Sequence, residues 1–312
     1  MALFEIKKNK IPSNLLVDRF LVPPFSVLDT RQGYWQDRKR NWIKLGIKSE
    51  LGRGDNNEDG EKNDFGKCLP RNIGEEYGRT IQATSIFDPV LCEIAYKWFS
   101  IKGARVLDPF AGGSVRGLVA GITGRPYVGI DLSEKQLKYN KLQLDDMQAR
   151  YSDIVTPEWI CGDSTNVKKL AKGKFDLVFS CPPYYDLEVY STKPEDLSNM
   201  ATYEEFLDSY GKIIANACDM LNDDSFAIFV VGNMRNKQGF YYDFVGDTIR
   251  AFENAGLGFY NEAIIFNVAG SLPVIMPQRF NGTRKMGKQH QQFLVFYKGD
   301  TKHIGEKFGS FE

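Results

Sequence analysis

Residues 104–114 read Ala-Arg-Val-Leu-Asp-Pro-Phe-Ala-Gly-Gly-Ser. Three of the first four residues are apolar, as in a short buried strand, and the segment after Ser114 has the pattern of a helix that runs to about Ile122. Glycines at such a strand-to-helix turn let the backbone approach a ligand closely, at the carboxyl end of a parallel strand. The dinucleotide pattern Gly-x-Gly-x-x-Gly is absent. The stretch therefore predicts a strand–turn–helix unit with a ligand site of another kind at its turn.

The alternation of strand and helix patterns continues on both sides of this unit. Apolar runs predict strands at residues 105–107, 127–130, 175–179, 226–231, 263–266 and 293–297. Helix boundaries are indicated by Asp88 before Pro89, Ser133 with Gln136, Thr202 with Glu205, and Gly256. Because residues 260–298 add β pattern after the alternating part, the predicted fold class is α/β, a doubly wound and mostly parallel sheet with an antiparallel edge.

Composition divides the chain into four parts. Residues 1–51 are expected to form an N-terminal arm, and residues 52–79, rich in Gly, Asp and Asn, a flexible loop. Residues 80–300 are the α/β body, and residues 301–312 are expected to be a loose tail. The first ten residues are polar and basic, and no apolar run reaches the length of about 18 to 20 residues that a bilayer requires. Neither a secretory signal nor a membrane span is expected.

Charge and cysteine usage exclude several classes of function. Forty basic and forty acidic side chains give a net charge of zero, which argues weakly against binding nucleic acid by charge alone and leaves a local basic face open. The five cysteines form no Cys-x-x-Cys pair and the chain has only two histidines, so we expect neither a disulfide framework nor a metal site. Reduced thiols in a cytoplasmic enzyme fit best.

Acidic residues end three successive strand patterns. Asp108 follows the first, Asp131 follows Tyr-Val-Gly-Ile at 127–130, and Asp163 follows Trp-Ile-Cys-Gly at 159–162. A carboxylate at the tip of the second strand can accept both ribose hydroxyls of a nucleoside cofactor. A single such acid is more often a helix cap or a turn residue. Three in succession favour a nucleoside cofactor.

A second turn, Phe-Ser-Cys-Pro-Pro-Tyr at 179–184, follows the strand at 175–179. Two prolines after a buried strand hold one backbone shape. Methylation of an aromatic amine needs such rigidity, because acceptors that bind the two amine hydrogens aim the nitrogen lone pair at the methyl donor. The carbonyl near Pro182 can be one acceptor, and Tyr184 can stack on a base turned out of its duplex. A buried strand that ends in a proline turn is the structural alternative.

Both turns resemble motifs of DNA amino-methyltransferases, the N6-adenine and N4-cytosine enzymes of bacterial and phage modification systems. The string at 108–114 is similar to the family's first motif, Asp-Pro-Phe-x-Gly-x-Gly, with Ser114 at the third glycine position. The string at 179–184 is similar to its catalytic motif, in which Asp, Asn or Ser precedes Pro-Pro and an aromatic residue. The helix pattern that starts at Phe87 resembles the segment over the cofactor's methionine end, and the resemblance covers most of residues 85–299.

The resemblance implies a Rossmann-like class I methyltransferase fold, S-adenosylmethionine as cofactor, double-stranded DNA as partner and a flipped adenine or cytosine as target, without a metal. The implied catalytic residues are Cys181, Pro182, Pro183 and Tyr184. The implied cofactor-binding residues are Phe87, Asp88, Asp108, Phe110, Ala111, Gly112, Gly113, Ser114, Asp131 and Asp163. Residues 80–300 would then be the catalytic domain.

Cys181 departs from the family pattern, since a thiol is a weak hydrogen-bonding group where the family has a polar acceptor. Either Ser180 substitutes by a small register shift, or backbone carbonyls do most of the work. A cysteine nucleophile for carbon-5 methylation is disfavoured because Cys181 precedes the prolines. Two further functions stay open: methylation of RNA or a small amine by the same cofactor site, and a non-catalytic DNA-binding regulator with a decayed site.

Two basic segments are candidates for DNA contact. The first mixes cations with aromatic residues: Arg31, Tyr34, Trp35, Arg38, Lys39, Arg40, Trp42 and Lys44. A helix docked by its tryptophans explains this segment equally well. The second, residues 278–288, is basic and contains glycine, which predicts a loop that grips phosphates. Asp186, Leu187, Glu188 and Tyr190 are expected at the lip of the base pocket.

Overall fold

The computed structural model describes residues 16–48, 87–185 and 193–311, and within them eight strands form one sheet. The strands are β1 (Val27–Asp29), β2 (Val106–Asp108), β3 (Tyr127–Asp131), β4 (Glu158–Cys161), β5 (Phe175–Ser180), β6 (Leu221–Val231), β7 (Gly258–Phe266) and β8 (His290–Lys298). Their order in the sheet is β1-β7-β8-β6-β5-β2-β3-β4.

Only β8 runs against the common strand direction. It pairs antiparallel with β6 and β7, and the other neighbouring pairs are parallel. The predicted fold class is confirmed: α/β, with a doubly wound, mostly parallel, Rossmann-like sheet whose antiparallel part lies toward one edge. The antiparallel strand itself lies third from the edge, because β7 and β1 pair beyond it.

The direction of winding reverses at β2. From β2 the chain adds β3 and then β4 on one side, and it returns to place β5 and β6 on the other side. The carboxyl ends of β2 and β5 therefore form a topological switch point, the place where open sheets of this kind bind their ligands.

Helices cover both faces of the sheet. They are α1 (Leu16–Phe20), α2 (Gly33–Lys44), α3 (Pro89–Phe99), α4 (Val115–Ile122), α5 (Glu134–Gln148), α6 (Val167–Leu170), α7 (Tyr203–Met220), α8 (Phe244–Asn254), α9 (Leu272–Thr283) and α10 (Ile304–Phe308). One core cluster packs α2, α3, α4 and α5 on the sheet, and a second packs α6, α7 and α8 on the opposite face. The site described below lies between these layers, at the carboxyl edge of the strands.

The helix signals in the sequence are confirmed as caps. The side chains of Asp88, Ser133 and Thr202 accept backbone N–H groups at the starts of α3, α5 and α7, at 2.9, 3.2 and 3.1 Å. Gly256, with φ +85°, follows the end of α8 in the left-handed conformation that glycine tolerates without strain.

Three segments differ from the sequence-based expectations. The N-terminal segment contributes β1, whose Val27 is in register with Ile264 of β7. The basic segment at 278–288 is a loop only in its second half, because residues 278–283 belong to α9. The expected tail contains α10, whose Phe308 ring lies 5.2 Å from that of Phe226. The expected loop at 52–79 and the expected pocket lip at residues 186, 187, 188 and 190 lie outside the described residues.

Candidate functional site

The two turns singled out in the sequence start from adjacent points of the sheet. β2 and β5 are direct neighbours, with Leu107 in register with Val178. Asp108 ends β2 and Ser180 ends β5, and the Ser180 hydroxyl donates a hydrogen bond of 2.5 Å to Asp108 Oδ1. The glycine turn and the Pro-Pro-Tyr turn therefore emerge side by side at the switch point.

Asp108 lies beneath the glycine turn and has no exposed surface. Its Oδ1 also accepts from the Phe110 backbone N–H at 3.1 Å, and its Oδ2 accepts from Arg116 Nε at 2.5 Å and from the Tyr127 hydroxyl at 2.7 Å. Burial lowers the pKa of Arg116, but the charge of Asp108, the groups of Tyr127 and Cys181 and the hydrogen bond to Asp108 together raise that pKa overall, so the guanidinium keeps its proton. The geometry makes Asp108 a positioning residue that joins the two turns.

The glycine turn lies against the tip of β3. Gly112, at φ +51°, donates its backbone N–H to Asp131 Oδ2 at 2.9 Å, and its carbonyl accepts from Asn140 Nδ2 at 2.8 Å. Gly129 in β3 permits this approach, because a methyl group there would lie 2.8 Å from the Cβ of Ala111. The turn thus holds Gly112 and Gly113 beside the Asp131 carboxylate.

Three other residues of the first motif face the protein. Ala111 is buried, and the buried Ser114 hydroxyl donates to the Gln143 side chain of α5. The Phe110 ring lies 6.1 Å from that of Tyr210. These residues fix the shape of the turn, and Ser114 fills a buried polar position at the third glycine of the family motif.

Asp131 and Asp163 lie half-exposed at the carboxyl ends of the adjacent strands β3 and β4. Asp131 Oδ1 accepts from the Ser133 backbone N–H at 2.8 Å. Asp163 Oδ1 accepts from the Thr165 backbone N–H at 2.8 Å and so caps the 3-10 turn Ser164–Asn166. Asp163 Oδ2 also accepts from the Thr165 hydroxyl and from Asn166 Nδ2. Both carboxylates are therefore held in place at the carboxyl edge of the sheet, with part of their surface open to solvent.

Phe87 and Asp88 have structural partners in the described chain. Asp88 caps α3, and its Oδ2 accepts from Trp35 Nε1 at 3.2 Å and from Lys39 Nζ at 3.0 Å. The Phe87 ring lies 5.7 Å from that of Phe179 and 4.7 Å from the Arg116 guanidinium. Asp88 thus ties α2 to α3, while Phe87 packs over the end of β5.

The Pro-Pro-Tyr turn continues from β5 with a buried Pro182 between the half-buried Cys181 and Pro183. Ser180 is fully buried and its hydroxyl points to Asp108, so the alternative that Ser180 replaces the missing acceptor is not supported. The side chain at the family's acceptor position is therefore the Cys181 thiol, beside backbone carbonyls.

Tyr184 is held from two sides. Its hydroxyl accepts from Gln291 Nε2 at 2.9 Å, and its ring meets the Phe244 ring edge-on at a centroid distance of 5.9 Å. These contacts fix the plane of the ring, which is what a stacking platform for a base requires. Gln291 lies just before the strand predicted at residues 293–297, and no local sequence pattern marks it as a partner of residue 184.

Lys288 is a site residue that sequence reasoning placed only in a basic segment. Its Nζ donates to the Asn233 carbonyl at 2.7 Å. A methyl group on Gly232 would lie 2.8 Å from this Nζ and 3.6 Å from the Tyr184 hydroxyl, so both groups border the same point. Burial, and then the charge of Arg235, lower the pKa of Lys288 to about 8.

The N-terminal basic segment is docked on the protein rather than open. Trp35 and Trp42 are fully buried, and Trp42 Nε1 donates to the buried Glu93 carboxylate at 2.9 Å. Four of its cations form ion pairs with carboxylates, namely Arg31 with Asp29, Arg38 with Glu93, Lys39 with Asp88 and Arg40 with Asp37. Of the two explanations offered for this segment, the structure supports the docked helix.

Among the residues that the structure describes, no group of three or more His, Cys, Asp or Glu side chains is arranged to hold a metal ion. The same residues contain no helix with the length and apolarity needed to cross a membrane.

Comparisons with known proteins find a similar fold. No protein-family model matches the chain. TrmN from Thermus thermophilus aligns at 16% identity over 68% of this chain and 49% of its own, with a TM-score of 0.45, so this chain spans about half the length of that protein. A methyltransferase from Pyrococcus furiosus aligns at 18% identity over 73% and 92%, with a TM-score of 0.42. Magnesium protoporphyrin IX methyltransferase from Synechocystis PCC 6803 with bound SAM aligns at 14% identity over 63% and 71%, with a TM-score of 0.40.

Proposed function

We propose that this chain is an S-adenosylmethionine-dependent DNA methyltransferase that methylates the exocyclic amino group of a flipped adenine (N6) or cytosine (N4). The observation that carries the proposal is the hydrogen bond between Ser180 and Asp108, which joins the glycine turn and the Pro-Pro-Tyr turn at the switch point of the sheet. A cofactor turn and an amine-binding turn must be adjacent for a methyl group to pass between them.

The residues at the tips of β2, β3 and β4 fit a nucleoside cofactor. Asp131 is half-exposed, and the Gly112 and Ser133 backbone N–H groups hold its carboxylate at the tip of β3, where an acid can accept the hydroxyls of a ribose diol. Asp163, at the next strand tip, offers acceptors for an adenine amino group. Gly112 and Gly113 lie where the absence of side chains lets a ligand approach the backbone. S-adenosylmethionine would supply a methyl group already activated by its sulfonium.

The Pro-Pro-Tyr turn has the parts needed to orient the acceptor amine. Backbone carbonyls beside Cys181 and Pro182 accept the amine hydrogens, and the Tyr184 ring stacks on the base. Holding both hydrogens turns the nitrogen lone pair toward the methyl donor. In the transfer a new N–C bond forms as the S–C bond breaks, and the nitrogen releases one proton to solvent. Positioning supplies most of the rate, so the turn needs no strong base.

The test is transfer of a methyl label. The purified protein is incubated with unmethylated duplex DNA and methyl-labelled S-adenosylmethionine, and the digested nucleosides are separated by mass spectrometry. We expect label in N6-methyladenine or N4-methylcytosine. Tyr184→Ala and Pro182→Ala should abolish it, whereas Tyr151→Ala, at an exposed tyrosine beyond the end of α5, should not change it.

Two outcomes would contradict the proposal. Label in 5-methylcytosine would show that a cysteine acts as the nucleophile in methylation of carbon 5. Cofactor binding by calorimetry without label in DNA would redirect the search to RNA, to small amines or to a regulator without turnover.

A further inference from the structure

Acidic residues are missing from two stretches that meet at the carboxyl edge of the sheet. Residues 226–242 contain no Asp or Glu, and neither do residues 263–299, although the whole chain has forty of each charge. The cations between the strands of these stretches are Arg235, Lys237, Arg279, Arg284, Lys285 and Lys288. These two stretches are therefore positive in a protein of zero net charge, which favours a polyanion as their partner.

The two stretches are in contact beside the Pro-Pro-Tyr turn. Lys288 Nζ donates to the Asn233 carbonyl, and a methyl group on Gly239 would lie 2.6 Å from Lys285 Nζ. Since Lys288 also borders the Tyr184 hydroxyl across Gly232, a continuous surface runs outward from Tyr184 to the turn at Gly239.

An ordered turn presents Phe240 at the end of this surface. The Asn236 backbone N–H donates to the Phe240 carbonyl at 2.8 Å, and the Asn236 side chain accepts from the Phe240 N–H at 2.9 Å. Gly239, at φ +91°, takes the conformation that the turn requires. Although the backbone is held, the Phe240 side chain is 73% exposed. Next to it Tyr241 is 49% exposed, with the Arg235 guanidinium 3.8 Å above its ring.

The cations of this surface differ from those of the N-terminal segment. Within the described ranges, no carboxylate forms an ion pair with Arg235, Lys285 or Lys288. Arg235 Nη1 donates to the Gly239 carbonyl at 2.7 Å, so it is oriented and keeps its charge uncompensated by an acid. Positive groups next to exposed aromatic rings suit a nucleic-acid strand, whose phosphates and bases they contact in turn.

We infer that residues 233–241 and 284–288, here called the Phe240 surface, hold the DNA strand that flanks the target base. Phe240 stacks on the base next to the one that is turned out, and Arg235, Lys285 and Lys288 contact its phosphates. Stacking there lowers the cost of opening the duplex near Tyr184. The inference rests on the proposed function and deepens it by locating the strand.

The experiment measures binding of a fluorescein-labelled, unmethylated 30-base-pair duplex of random sequence to the full chain by anisotropy over a range of salt. We expect Phe240→Ala to weaken binding by about 5- to 150-fold with an unchanged salt dependence. Phe240→Trp should restore affinity. Lys285→Ala should lower the slope of log K against log salt by about one, because one phosphate contact is lost.

Two matched controls lie at the amino-terminal ends of the strands, away from the Phe240 surface. Phe25→Ala removes a ring that is 61% exposed just before β1, and Lys172→Ala removes an exposed cation just before β5. Neither should alter the affinity or the salt slope by more than about twofold.

Failure of the inference is distinguishable from failure of the proposed function. If the wild-type chain binds and methylates DNA while Phe240→Ala behaves like Phe25→Ala, the Phe240 surface does not hold the strand and the proposed function stands. If the wild-type chain binds S-adenosylhomocysteine by calorimetry but neither binds nor methylates duplex DNA, both are overturned. Preference for a single-stranded RNA of the same sequence by more than about tenfold would overturn duplex DNA as the partner.

Discussion

Tyr184 combines two functions that single substitutions can separate. Its ring is the proposed platform for the base, while its hydroxyl accepts from Gln291 and so fixes the ring. Tyr184→Phe keeps the ring and loses one hydrogen bond, which costs about 1 kcal/mol. We expect it to lower kcat/KM by about 3- to 10-fold.

The second substitution, Tyr184→Ala, removes the aromatic ring itself. Tyr184→Ala should lower kcat/KM by about a hundredfold or more, because stacking and the orientation of the amine are lost together. Methyl-label incorporation measures both rates. Equal losses in the two variants would show that the hydroxyl, rather than the ring, is the functional group.

Cys181 allows a direct test of whether the backbone orients the amine. A thiol is a weak acceptor, and the neighbouring Ser180 hydroxyl is committed to Asp108. We therefore expect Cys181→Ala to retain label transfer within about tenfold of wild type, since one weak hydrogen bond is lost. A loss as large as that of Tyr184→Ala would show instead that the thiol is indispensable to the reaction.

Lys288 should make DNA binding depend on pH. Burial and the charge of Arg235 lower its pKa to about 8, so the ammonium loses its proton as the pH rises through that value. Below it the cation is present to contact a phosphate, and above it the contact is lost. Affinity for the duplex should fall about tenfold between about pH 7 and about pH 9.

An arginine at this position separates charge from packing. Lys288→Arg stays protonated throughout the range and should bind DNA with little pH dependence, whereas Lys285→Ala should retain the wild-type dependence. An unchanged pH profile in Lys288→Arg would assign the titration to another group.

At the scale of single residues, the sequence located the two turns but could not say which side chains face the ligand. Asp108 and Asp131 occupy equivalent positions after successive strands, yet one is fully buried and the other half-exposed. The partners that bury Asp108 come from α4, β3 and β5, which no local pattern connects. Side-chain direction depends on these long-range contacts, so motif spacing alone assigns all such acids to the ligand.

At the scale of the elements, α2 shows that a basic segment can stabilise the fold through ion pairs within the protein. Arg38 forms an ion pair with Glu93 of α3, which has no exposed surface and also accepts from Trp42. Removing one partner of a buried pair leaves the other charge uncompensated. We expect Glu93→Ala to lower the free energy of unfolding by about 3 to 5 kcal/mol, measured by urea denaturation.

The matched comparison is an exposed pair on the same helix. Asp37 pairs with Arg40, and both side chains are more than half exposed to solvent. Asp37→Ala should cost about 0 to 1 kcal/mol, since solvent screens such pairs. Equal effects of the two substitutions would mean that α2 does not depend on the buried pair for its position.

The elements that sequence patterns missed lack a periodic signal. β1 is three residues long, too short for alternation to show. α9 contains Pro277 in its interior and has no buried residue, so neither helix propensity nor an apolar face marks it. The strands of the inner sheet were readable because burial on both faces makes them continuous apolar runs.

At the scale of the whole molecule, the sheet places Asp131, the acid proposed to bind the ligand, and the buried Asp108 at the ends of neighbouring strands. If Asp131 binds the cofactor's ribose, ligand binding must stabilise the folded state by linkage, by about 2.7 kcal/mol at a ligand concentration of about 100 Kd. For a chain of 312 residues that corresponds to a rise in Tm of roughly 4 °C. S-adenosylhomocysteine is the ligand to use, since it does not turn over, and differential scanning fluorimetry is the measurement.

Two substitutions should then differ in how they change the Tm of the unliganded protein and its rise on binding the ligand. Asp131→Ala loses two accepted backbone hydrogen bonds and should destabilise the unliganded protein by about 2 kcal/mol or less, yet its ligand-induced rise in Tm should vanish. Asp108→Asn disturbs the buried Arg116 and should lower the Tm of the unliganded protein more than Asp131→Ala does, while any remaining folded protein still gains stability from the ligand. Asp153→Ala, at an exposed turn, should match wild type in both respects. If Asp131→Ala kept the full ligand-induced rise, the cofactor would have to lie elsewhere along the carboxyl edge, because every contact proposed for the ribose depends on that carboxylate.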